Sequence, residues 1–465
     1  MGKILYALPI HIRVIFIYLT FYNNLRGRFL SNSSNINTEK YQSNKFYVFG
    51  SRDNTVLTKA VLRIGRFHAL DGSLGAPVYF DVSHPHIILV MGKRGYGKSY
   101  TLGVFLEEMQ NLDTHLKNQL SIIVIDTLGI FWTMNYSNKQ QTKMMEKWNI
   151  QPTGLPIHVF TADKHFKQYQ NTRLSIKPLT IHPSSLSPED WCNIFDVSPI
   201  KPVGSLIYNT ILHLRESQKK YNLSDIIQTL WKEPHISSEV KIAAENLLKT
   251  AKSWGVFHQS GISLKDIIKP GQISLIDLSA IKHQPLKILI TGLIADDIFE
   301  SRIKERKKEE LATIGLSSKR KEFPLIYLAI DEAHLFLPKQ GTHNCKKILI
   351  EKWLRQGRQP GLSMILGTQL PGSIDSEVFS HSDFITCHRL TALEDIKSLQ
   401  VLRPTYLHEE ITETLKKIGR KKGVALVIDD ISESSHIIRI RPRKSWHGGN
   451  EPTLNIEEPK DIECE

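Results

Sequence analysis

The amino-acid sequence predicts an α/β fold, in which a mostly parallel sheet is covered by helices on both faces. Short apolar runs typical of buried strands alternate with longer stretches at helical spacing. A glycine-rich loop joins one such strand, His86 to Met91, to a helical stretch from Ser99 to Asn111. Two other strands end in acidic residues, at Asp126 and at Asp331. Strands that alternate with helices form a parallel sheet buried on both faces.

The elements can be placed in order along the chain. Strands are expected within residues 56–66, 77–82, 86–91, 121–125, 273–278, 324–330 and 364–367. A helical block begins at Ser187-Pro-Glu-Asp190, where a capping serine precedes a proline and acidic residues. We interpret residues 187–265 as a helical insertion into the sheet. A further amphipathic helix is predicted at 288–303, ending in the charge run 304–310.

The chain divides into an N-terminal segment, a core in two parts and an acidic tail. The predicted boundaries are 1–45 for the segment and its polar linker, 46–186 and 266–450 for the core, 187–265 for the insertion and 451–465 for the tail. The segment carries an apolar run, Ile4 to Tyr22, interrupted by Pro9, His11 and Arg13. A spanning helix needs about 20 apolar residues. No stable membrane insertion is therefore expected.

Composition limits the class of protein. The 465 residues are 41% hydrophobic and 23% charged, with a net charge of +13, which is typical of a globular chain with a polyanionic partner. Nucleic acid is the first candidate and an anionic membrane surface the second. Scattered cysteines without a C-x-x-C pair make a disulfide framework or zinc site unexpected and favour a reducing, cytoplasmic location. They are Cys192, Cys345, Cys387 and Cys464.

The segment Gly92 to Ser99 matches the phosphate-binding pattern G-x-x-x-x-G-K-[ST]. Glycines let the backbone wrap around phosphates, so that N–H groups and a helix N-terminus face the anion. Lys98 is expected to reach the β- and γ-phosphates, and Ser99 to ligate Mg²⁺. The sequence therefore predicts a P-loop NTPase that binds ATP and Mg²⁺. Its predicted cofactor-binding residues are Gly92, Lys93, Arg94, Gly95, Tyr96, Gly97, Lys98, Ser99 and Tyr100.

A second motif is an apolar strand that ends in Asp331 and Glu332. Asp331 is predicted to hold Mg²⁺, and Glu332 to polarise the attacking water. After the next strand come Thr368 and Gln369. Gln369 can sit between the γ-phosphate and Glu332 and sense hydrolysis, or it can be a solvent-facing amide beside a capping threonine.

Three arginines are candidates for a finger that stabilises transition-state charge, either in the same chain or in a neighbouring subunit. They are Arg355, Arg358 and Arg389. Each can equally be a surface ion pair. The letters Asp-Glu-Ala-His also occur in superfamily-2 helicases, but Arg358 follows Asp331 too closely to leave room for a second RecA domain.

Taken together, the motifs resemble the HerA-like branch of the HerA/FtsK ATPases. The resemblance covers roughly residues 60–450 and rests on "VIDTLG" at 124–129, "IDEAHLFLP" at 330–338, "RQGRQPGLSMILGTQLP" at 355–371, "CHRL" at 387–390 and "IRPRKSWHGG" at 440–449. It implies a RecA-like core, a hexameric ring, and ATP-driven movement along double-stranded DNA. It also implies a nuclease or defence partner.

Two features depart from the family pattern. Ile130 follows Gly129 in the first aspartate motif, where the family commonly has glutamate. Too few globular residues precede the P-loop for the family's small N-terminal β-barrel. Two other functions remain open, namely a membrane-associated conjugation or secretion motor and a nucleotide-dependent assembly switch with little motor activity.

Basic residues concentrate at 304–321 and at 416–422. Lys346 and Lys347 add positive charge in a predicted loop just past the catalytic carboxylates. Loops beside the nucleotide site of a RecA-like ring can face the central channel. We therefore predict that Lys346, Lys347 and the bases of 304–321 contact DNA phosphates.

Overall fold

The structure is a computed structural model that describes residues 46–51, 60–69, 71–217, 220–261, 263–317, 323–400 and 405–449. The apolar run Ile4 to Tyr22, the polar linker and the acidic tail lie outside these ranges. Among the helices that the structure describes, none combines the length and the apolar character that crossing a membrane requires.

One sheet of thirteen strands organises the described residues, in the order β1-β3-β2-β13-β12-β11-β4-β10-β9-β5-β8-β6-β7. The strands are β1 (Tyr47–Phe49), β2 (Val61–His68), β3 (Leu74–Asp81), β4 (Ile87–Met91), β5 (Leu120–Asp126), β6 (Ile157–Thr161), β7 (Ser175–Pro178), β8 (Ile273–Asp277), β9 (Leu325–Ile330), β10 (Leu362–Thr368), β11 (Phe384–Cys387), β12 (Val424–Asp429) and β13 (Ser434–Ile440).

The strands from β11 to β7 run parallel to one another. On the other side of β11, the pairs β11–β12, β12–β13, β13–β2 and β2–β3 are antiparallel. The carboxyl ends of β4, β10, β9, β5 and β8 therefore meet at one edge of the sheet, which we call the carboxyl edge. The predicted α/β architecture with a mostly parallel sheet is confirmed.

Helices cover both faces of this sheet. They are α1 (Lys98–Gln110), α2 (Thr114–Lys117), α3 (Thr142–Lys147), α4 (Pro188–Ile194), α5 (Pro202–Ser217), α6 (Leu223–Trp231), α7 (Ser238–Ser253), α8 (Leu264–Ile267), α9 (Gln284–Thr313), α10 (Asn344–Lys347), α11 (Ser376–His381), α12 (Leu393–Gln400) and α13 (Thr405–Ile418). A π-helical segment, Ile348–Leu354, continues α10. The loop predicted at Lys346 and Lys347 was wrong, since both residues lie in α10.

Alternation along each central strand divides the core between the two faces. In β4, Ile87 and Leu89 join one apolar cluster and Ile88 and Val90 join the other. Helices α4 to α8 lie between β7 and β8 in the chain, where the insertion was predicted. Their buried side chains, Trp191 among them, belong to the first cluster. The inserted helices therefore share the core of the sheet.

Local signals in the sequence explain two helix boundaries. Ser187 and Asp190 form the predicted capping box, because each side chain accepts the other's backbone N–H. The predicted end of α9 at residue 303 was wrong, since the helix continues to Thr313. The charge run supports it through ion pairs such as that of Arg306 with Glu309, at 3.3 Å. Buried Arg302 also binds the carbonyl of Pro360, at 2.8 Å.

The C-terminal segment 441–447 is held on α1 by a buried ionic network. Glu107 accepts from Arg441 Nη2 at 2.8 Å, from Arg443 Nε at 3.3 Å and from the Ser445 hydroxyl at 2.6 Å. Burial raises the pKa of the Glu107 carboxyl, but the two guanidinium groups outweigh this effect and hold the pKa below its usual range. Gly103 provides the space for Arg443, since a Cβ there would lie 2.6 Å from the guanidinium carbon.

Replacing Arg441 tests the importance of this network. Arg441→Met leaves buried carboxylates short of a partner, so we expect the free energy of unfolding to fall by about 3–5 kcal/mol. Lys444 binds Glu108 at 3.0 Å with a side chain that is 22% exposed, and Lys444→Met should cost less than about 1 kcal/mol. Urea unfolding of both variants measures the difference. Equal losses would show that burial of the charges is unimportant.

Candidate nucleotide-binding and catalytic site

The P-loop follows β4 at the carboxyl edge and is fixed by backbone hydrogen bonds. Gly92 N donates to the Thr368 carbonyl at 3.3 Å, and Lys93 N donates to the Arg389 carbonyl at 2.9 Å. Gly95 and Gly97 have φ values of 79° and 114°, a region that glycine enters without steric cost. The loop then runs into α1. The sequence after β4 therefore forms the strand, loop and helix that phosphate binding requires.

Lys98 lies between the two carboxylates that follow β9. Its ammonium binds Asp331 Oδ1, and it donates to Glu332 Oε1 at 2.8 Å. The three side chains are buried, with exposures of 7% or less. The chain thus brings together, across the carboxyl edge, two motifs that are distant in sequence. Two negative charges around one positive charge leave a site that favours a further cation.

Glu332 adopts a left-handed backbone conformation, with φ at 55°. Such a conformation is uncommon for a residue other than glycine and is associated with functional sites. Gln369, at the end of β10, donates its side-chain amide to Glu332 Oε1. The half-buried amide of Gln369 is therefore directed at Glu332, and its role as a sensor stays a prediction. Thr368 Oγ1 instead accepts from the Leu370 N–H at 3.1 Å.

His334 is a neighbour of Glu332 to which the sequence analysis assigned no role. Its Nδ1 lies 3.5 Å from Glu332 Oε2 and 3.3 Å from Thr368 Oγ1. Burial lowers the pKa of His334, and the positive charge of Lys98 adds to this effect, although Glu332 and Asp331 oppose it. The letters Asp-Glu-Ala-His contain this histidine. The turn after β9 is what places the imidazole of His334 next to the carboxylate of Glu332.

Ser99 and Asp331 provide oxygen atoms suited to Mg²⁺. The Ser99 hydroxyl donates to Asp331 Oδ2 at 3.2 Å, so both side chains reach the same point. Mg²⁺ in nucleotide sites takes a few protein oxygens and completes its shell with phosphate and water. The two residues fit that arrangement. Among the described residues, no group of three or more histidine, cysteine or acidic side chains could hold a metal by itself.

His388 lies beneath the P-loop and is fully buried. Its Nδ1 lies 3.2 Å from the Val424 carbonyl, and its Nε2 lies 2.8 Å from Thr101 Oγ1. A carbonyl can only accept, so Nδ1 carries the proton and Nε2 accepts from the threonine hydroxyl. Burial lowers the pKa of His388 to about 4, which keeps the ring neutral at pH 7. This histidine belongs to the sequence "CHRL", from which no role for it was predicted.

Asp126 organises the loop after β5. Its Oδ1 accepts from the N–H groups of Leu128 at 3.1 Å and Gly129 at 2.7 Å, and its Oδ2 accepts from Phe131 N at 2.9 Å. Asp277 stands beside it at the end of β8 and binds the Tyr169 hydroxyl at 2.7 Å. The Asp126 carboxylate therefore shapes the loop after β5, and Ile130 contacts the apolar cluster on the α1 face.

The three candidate arginines occupy different places. Arg389 follows β11 at the carboxyl edge, where its guanidinium binds the Tyr96 hydroxyl and lies 4.9 Å from the centre of the Tyr96 ring. Arg355 pairs with Glu377 through two hydrogen bonds of 2.8 and 2.7 Å. Arg358 is exposed and precedes β10. At roughly 3.3 Å per residue, the length of β10 separates Arg358 from the P-loop of its own chain.

The remaining predicted phosphate-binding residues differ in what their side chains do. Lys93 and Arg94 are exposed. Tyr100 is instead directed to the C-terminal segment, because its hydroxyl donates to Gln141 Oε1 at 2.7 Å and accepts from Arg443 N at 2.6 Å. The Tyr100 side chain therefore ties α1 to that segment, and a role in nucleotide binding stays a prediction.

Comparison with known proteins agrees with this geometry. Residues 62–298, just over half of the chain, match the family model described as the central domain of helicase HerA. The chain belongs to the HerA family of P-loop ATPases. The family recognised from the motifs is thereby confirmed. The match begins in β2 and ends in α9, so it includes the P-loop and the inserted helices.

Curated members of the family are distant in sequence. A HerA DNA double-strand break repair helicase of Sulfurisphaera tokodaii is 21% identical over 408 residues, which are 88% of this chain and 74% of the relative. That of Pyrococcus furiosus is 23% identical over 197 residues, which are 39% of this chain and 35% of the relative. The chain thus spans about a third of the Pyrococcus protein.

A solved structure shares the fold. VirB4 of Thermoanaerobacter pseudethanolicus superposes with a TM-score of 0.53 at 12% identity, covering 82% of this chain and 96% of VirB4. At that identity the likeness shows the fold alone. It confirms the RecA-like α/β core.

The pH dependence of stability tests the environment of Asp126. Burial raises its pKa from 3.8 to about 7, and the charges of Asp277 and Asp331 add to this effect. A raised folded-state pKa gives a stabilising contribution that is present below the unfolded pKa and lost as the pH rises through the folded pKa.

We therefore expect the wild-type free energy of unfolding to decline relative to that of Asp126→Asn between about pH 4 and about pH 7. Asparagine keeps one acceptor oxygen and replaces the other by an NH2 group, so the variant loses only the hydrogen bonds of one carboxylate oxygen. That loss shifts its free energy of unfolding by an amount that does not depend on pH. Urea unfolding across this range measures the difference. Parallel curves would contradict the assignment of Asp126 as the titrating group.

Proposed function

We propose that this HerA-family chain hydrolyses ATP with Mg²⁺ and uses the energy to move double-stranded DNA as a homo-oligomeric ring. The observation that carries the proposal is the meeting of Lys98, Asp331, Glu332 and Gln369 at the end of the P-loop. The DNA substrate is supported by the relatives' names as double-strand break repair helicases and by the net charge of +13.

The residues of this site have separate roles in ATP hydrolysis. Lys98 exchanges the carboxylates for β- and γ-phosphate oxygens, which neutralises charge that grows in the transition state. Ser99 and Asp331 would hold Mg²⁺, which would supply positive charge to offset that of the phosphate oxygens. Glu332 orients the attacking water and accepts its proton. Gln369 is bonded to Glu332 and is placed to report whether the γ-phosphate is present.

Turnover with and without linear double-stranded DNA tests the motor function. Wild-type turnover should rise on DNA addition, and less so at the higher of two salt concentrations. Lys98→Ala should lose nucleotide binding or turnover, whereas Glu332→Gln should bind ATP and hydrolyse it roughly 100-fold more slowly or worse. Malachite-green phosphate release and equilibrium nucleotide binding measure both properties.

Three outcomes would contradict the proposal or favour another function. Near wild-type turnover in Glu332→Gln would remove this carboxylate from catalysis. Slow turnover that DNA does not change would favour the assembly switch. DNA-independent turnover together with association to anionic vesicles, lost when residues 4–22 are deleted, would favour a membrane-associated secretion or conjugation motor.

Arg358 is the best candidate for completing a neighbouring subunit's site. Arg389 already contacts the P-loop of its own chain, and Arg355 is held by Glu377. Arg358 is exposed, and no hydrogen bond or ion pair joins its guanidinium to any other part of the chain that the structure describes. An exposed, unpaired guanidinium is available to a second copy.

Mixing experiments test this role. In a ring, one Arg358→Ala subunit inactivates its neighbour's site and stalls coordinated turnover, so activity should fall more steeply than the fraction of wild-type protein. Arg355→Ala, mixed in the same way, is the matched control and should dilute activity in proportion. A linear loss with Arg358→Ala would mean that each subunit hydrolyses ATP independently.

The different surroundings of Lys346 and Lys347 lead to different predictions about their contact with DNA. The Lys346 ammonium binds Asp375 at 2.9 Å and the Gly341 carbonyl at 3.1 Å, and its side chain is only 12% exposed. Lys347 is exposed. Lys347 is therefore the better candidate for a phosphate contact, together with the exposed bases of α9 and of residues 420–422.

Salt titrations of DNA binding distinguish the two lysines. Lys347→Ala should weaken binding equally for all sequences and flatten the slope of log K against log salt by about 0.9. Lys346→Ala should leave the slope unchanged, because its charge is already neutralised. Fluorescence anisotropy with two unrelated duplexes measures both variants. The same slope in Lys347→Ala and wild type would place Lys347 outside the DNA path.

A further inference from the structure

His388 occupies the space directly under both ends of the P-loop. A Cβ at Gly92 would lie 2.6 Å from the Cβ of His388, and a Cβ at Gly97 would lie 3.3 Å from its imidazole Cε1. His388 N also donates to the Met91 carbonyl at 2.8 Å. The imidazole is thus the surface on which the loop rests, and the glycines at both positions allow the loop to come that close.

The ring also has a defined orientation. Nδ1–H donates to the carbonyl of Val424, the first residue of β12, and Nε2 accepts from Thr101 in the first turn of α1. Thr101 is itself fixed, because its N–H donates to the Gly97 carbonyl at 2.8 Å. One side chain therefore joins the first turn of α1, which starts with Lys98 and Ser99, to a strand two positions away from β4 in the sheet.

We propose that His388 is a positioning residue for the P-loop: its two directed hydrogen bonds and its contact with both glycines hold the loop in the shape that binds nucleotide phosphates. This inference rests on the proposed nucleotide site and adds to it a residue that touches neither phosphate nor metal. Hydrogen bonds to a buried ring are costly to leave unmade, so losing either partner loosens the loop.

The test is a double-mutant cycle between His388 and Thr101. His388→Phe keeps a flat ring of similar size without either nitrogen, and Thr101→Val keeps the shape of threonine without the hydroxyl. Thr101→Ser retains the hydroxyl and is the conservative control. For each protein, and for the double variant, we would measure the dissociation constants of ATP and ADP with Mg²⁺ by competition with a fluorescent nucleotide, together with the melting temperature and KM and kcat for ATP.

We expect Thr101→Val to weaken ATP binding by about ten-fold, which is the loss of one buried hydrogen bond, and His388→Phe, which removes two, to weaken it by at least as much. The double variant should be no weaker than the worse single variant, because both remove the same interaction. KM should rise more than kcat falls, since the catalytic carboxylates remain in place. Thr101→Ser should bind as wild type does.

Wild-type affinity in either single variant, or losses that multiply in the double variant, would overturn the proposal. A lower melting temperature with unchanged affinity of the folded protein would show a structural role only, and would overturn it too. If His388→Phe does not fold, the comparison of Thr101→Val with Thr101→Ser still tests the proposal. The experiment uses no DNA, so a chain that binds nucleotide but does not respond to DNA would refute the motor without affecting this inference.

Discussion

Negative charge at the carboxyl edge of a buried sheet is the constraint on which the rest of this molecule depends. Asp126, Asp277, Asp331 and Glu332 all stand at the ends of neighbouring strands and are nearly inaccessible to water. A buried carboxylate is tolerated only when it is protonated, paired or bonded to donors. Lys98 pairs with Asp331 and Glu332, backbone N–H groups donate hydrogen bonds to Asp126, and hydroxyl groups donate hydrogen bonds to Asp277.

The two aspartate motifs meet this constraint in different ways. Asp331 and Glu332 share a lysine side chain that can move, so their partner can be exchanged when phosphate arrives. Asp126 is held by main-chain donors of its own loop, which cannot leave without unfolding that loop. A carboxylate pair whose partner can be exchanged suits a catalytic site. A carboxylate fixed by its own loop suits a rigid boundary of that site. Acidic residues that follow the adjacent strands β5 and β9 therefore have different roles.

Sequence reasoning was most successful where a signal is local. The P-loop and the Ser187 capping box depend on neighbouring residues, and the structure has them where they were expected. Strands β4, β5, β8, β9 and β10 overlap the predicted runs, whereas β6 and β7 were not predicted. The positions of His388 and Tyr100 depend on strand order and on contacts between segments hundreds of residues apart. That of His334 depends on the turn after β9 and on Thr368, 34 residues later. Periodicity reveals none of these contacts. The end of α9 was misplaced for a related reason: charged residues suggested a loop, whereas their i,i+3 and i,i+4 pairing and the burial of Arg302 extend the helix.

The network between Glu107 and the 441–447 segment has a consequence for how the chain is made. Helix α1 leaves the ribosome well before the guanidinium groups that neutralise its two acids, since Arg443 lies 336 residues after Glu107. During translation α1 must carry these unpaired acids while most of the sheet is still missing. The ion pairs that fix the helix beginning with Lys98 and Ser99 can therefore form only after the 441–447 segment has been made.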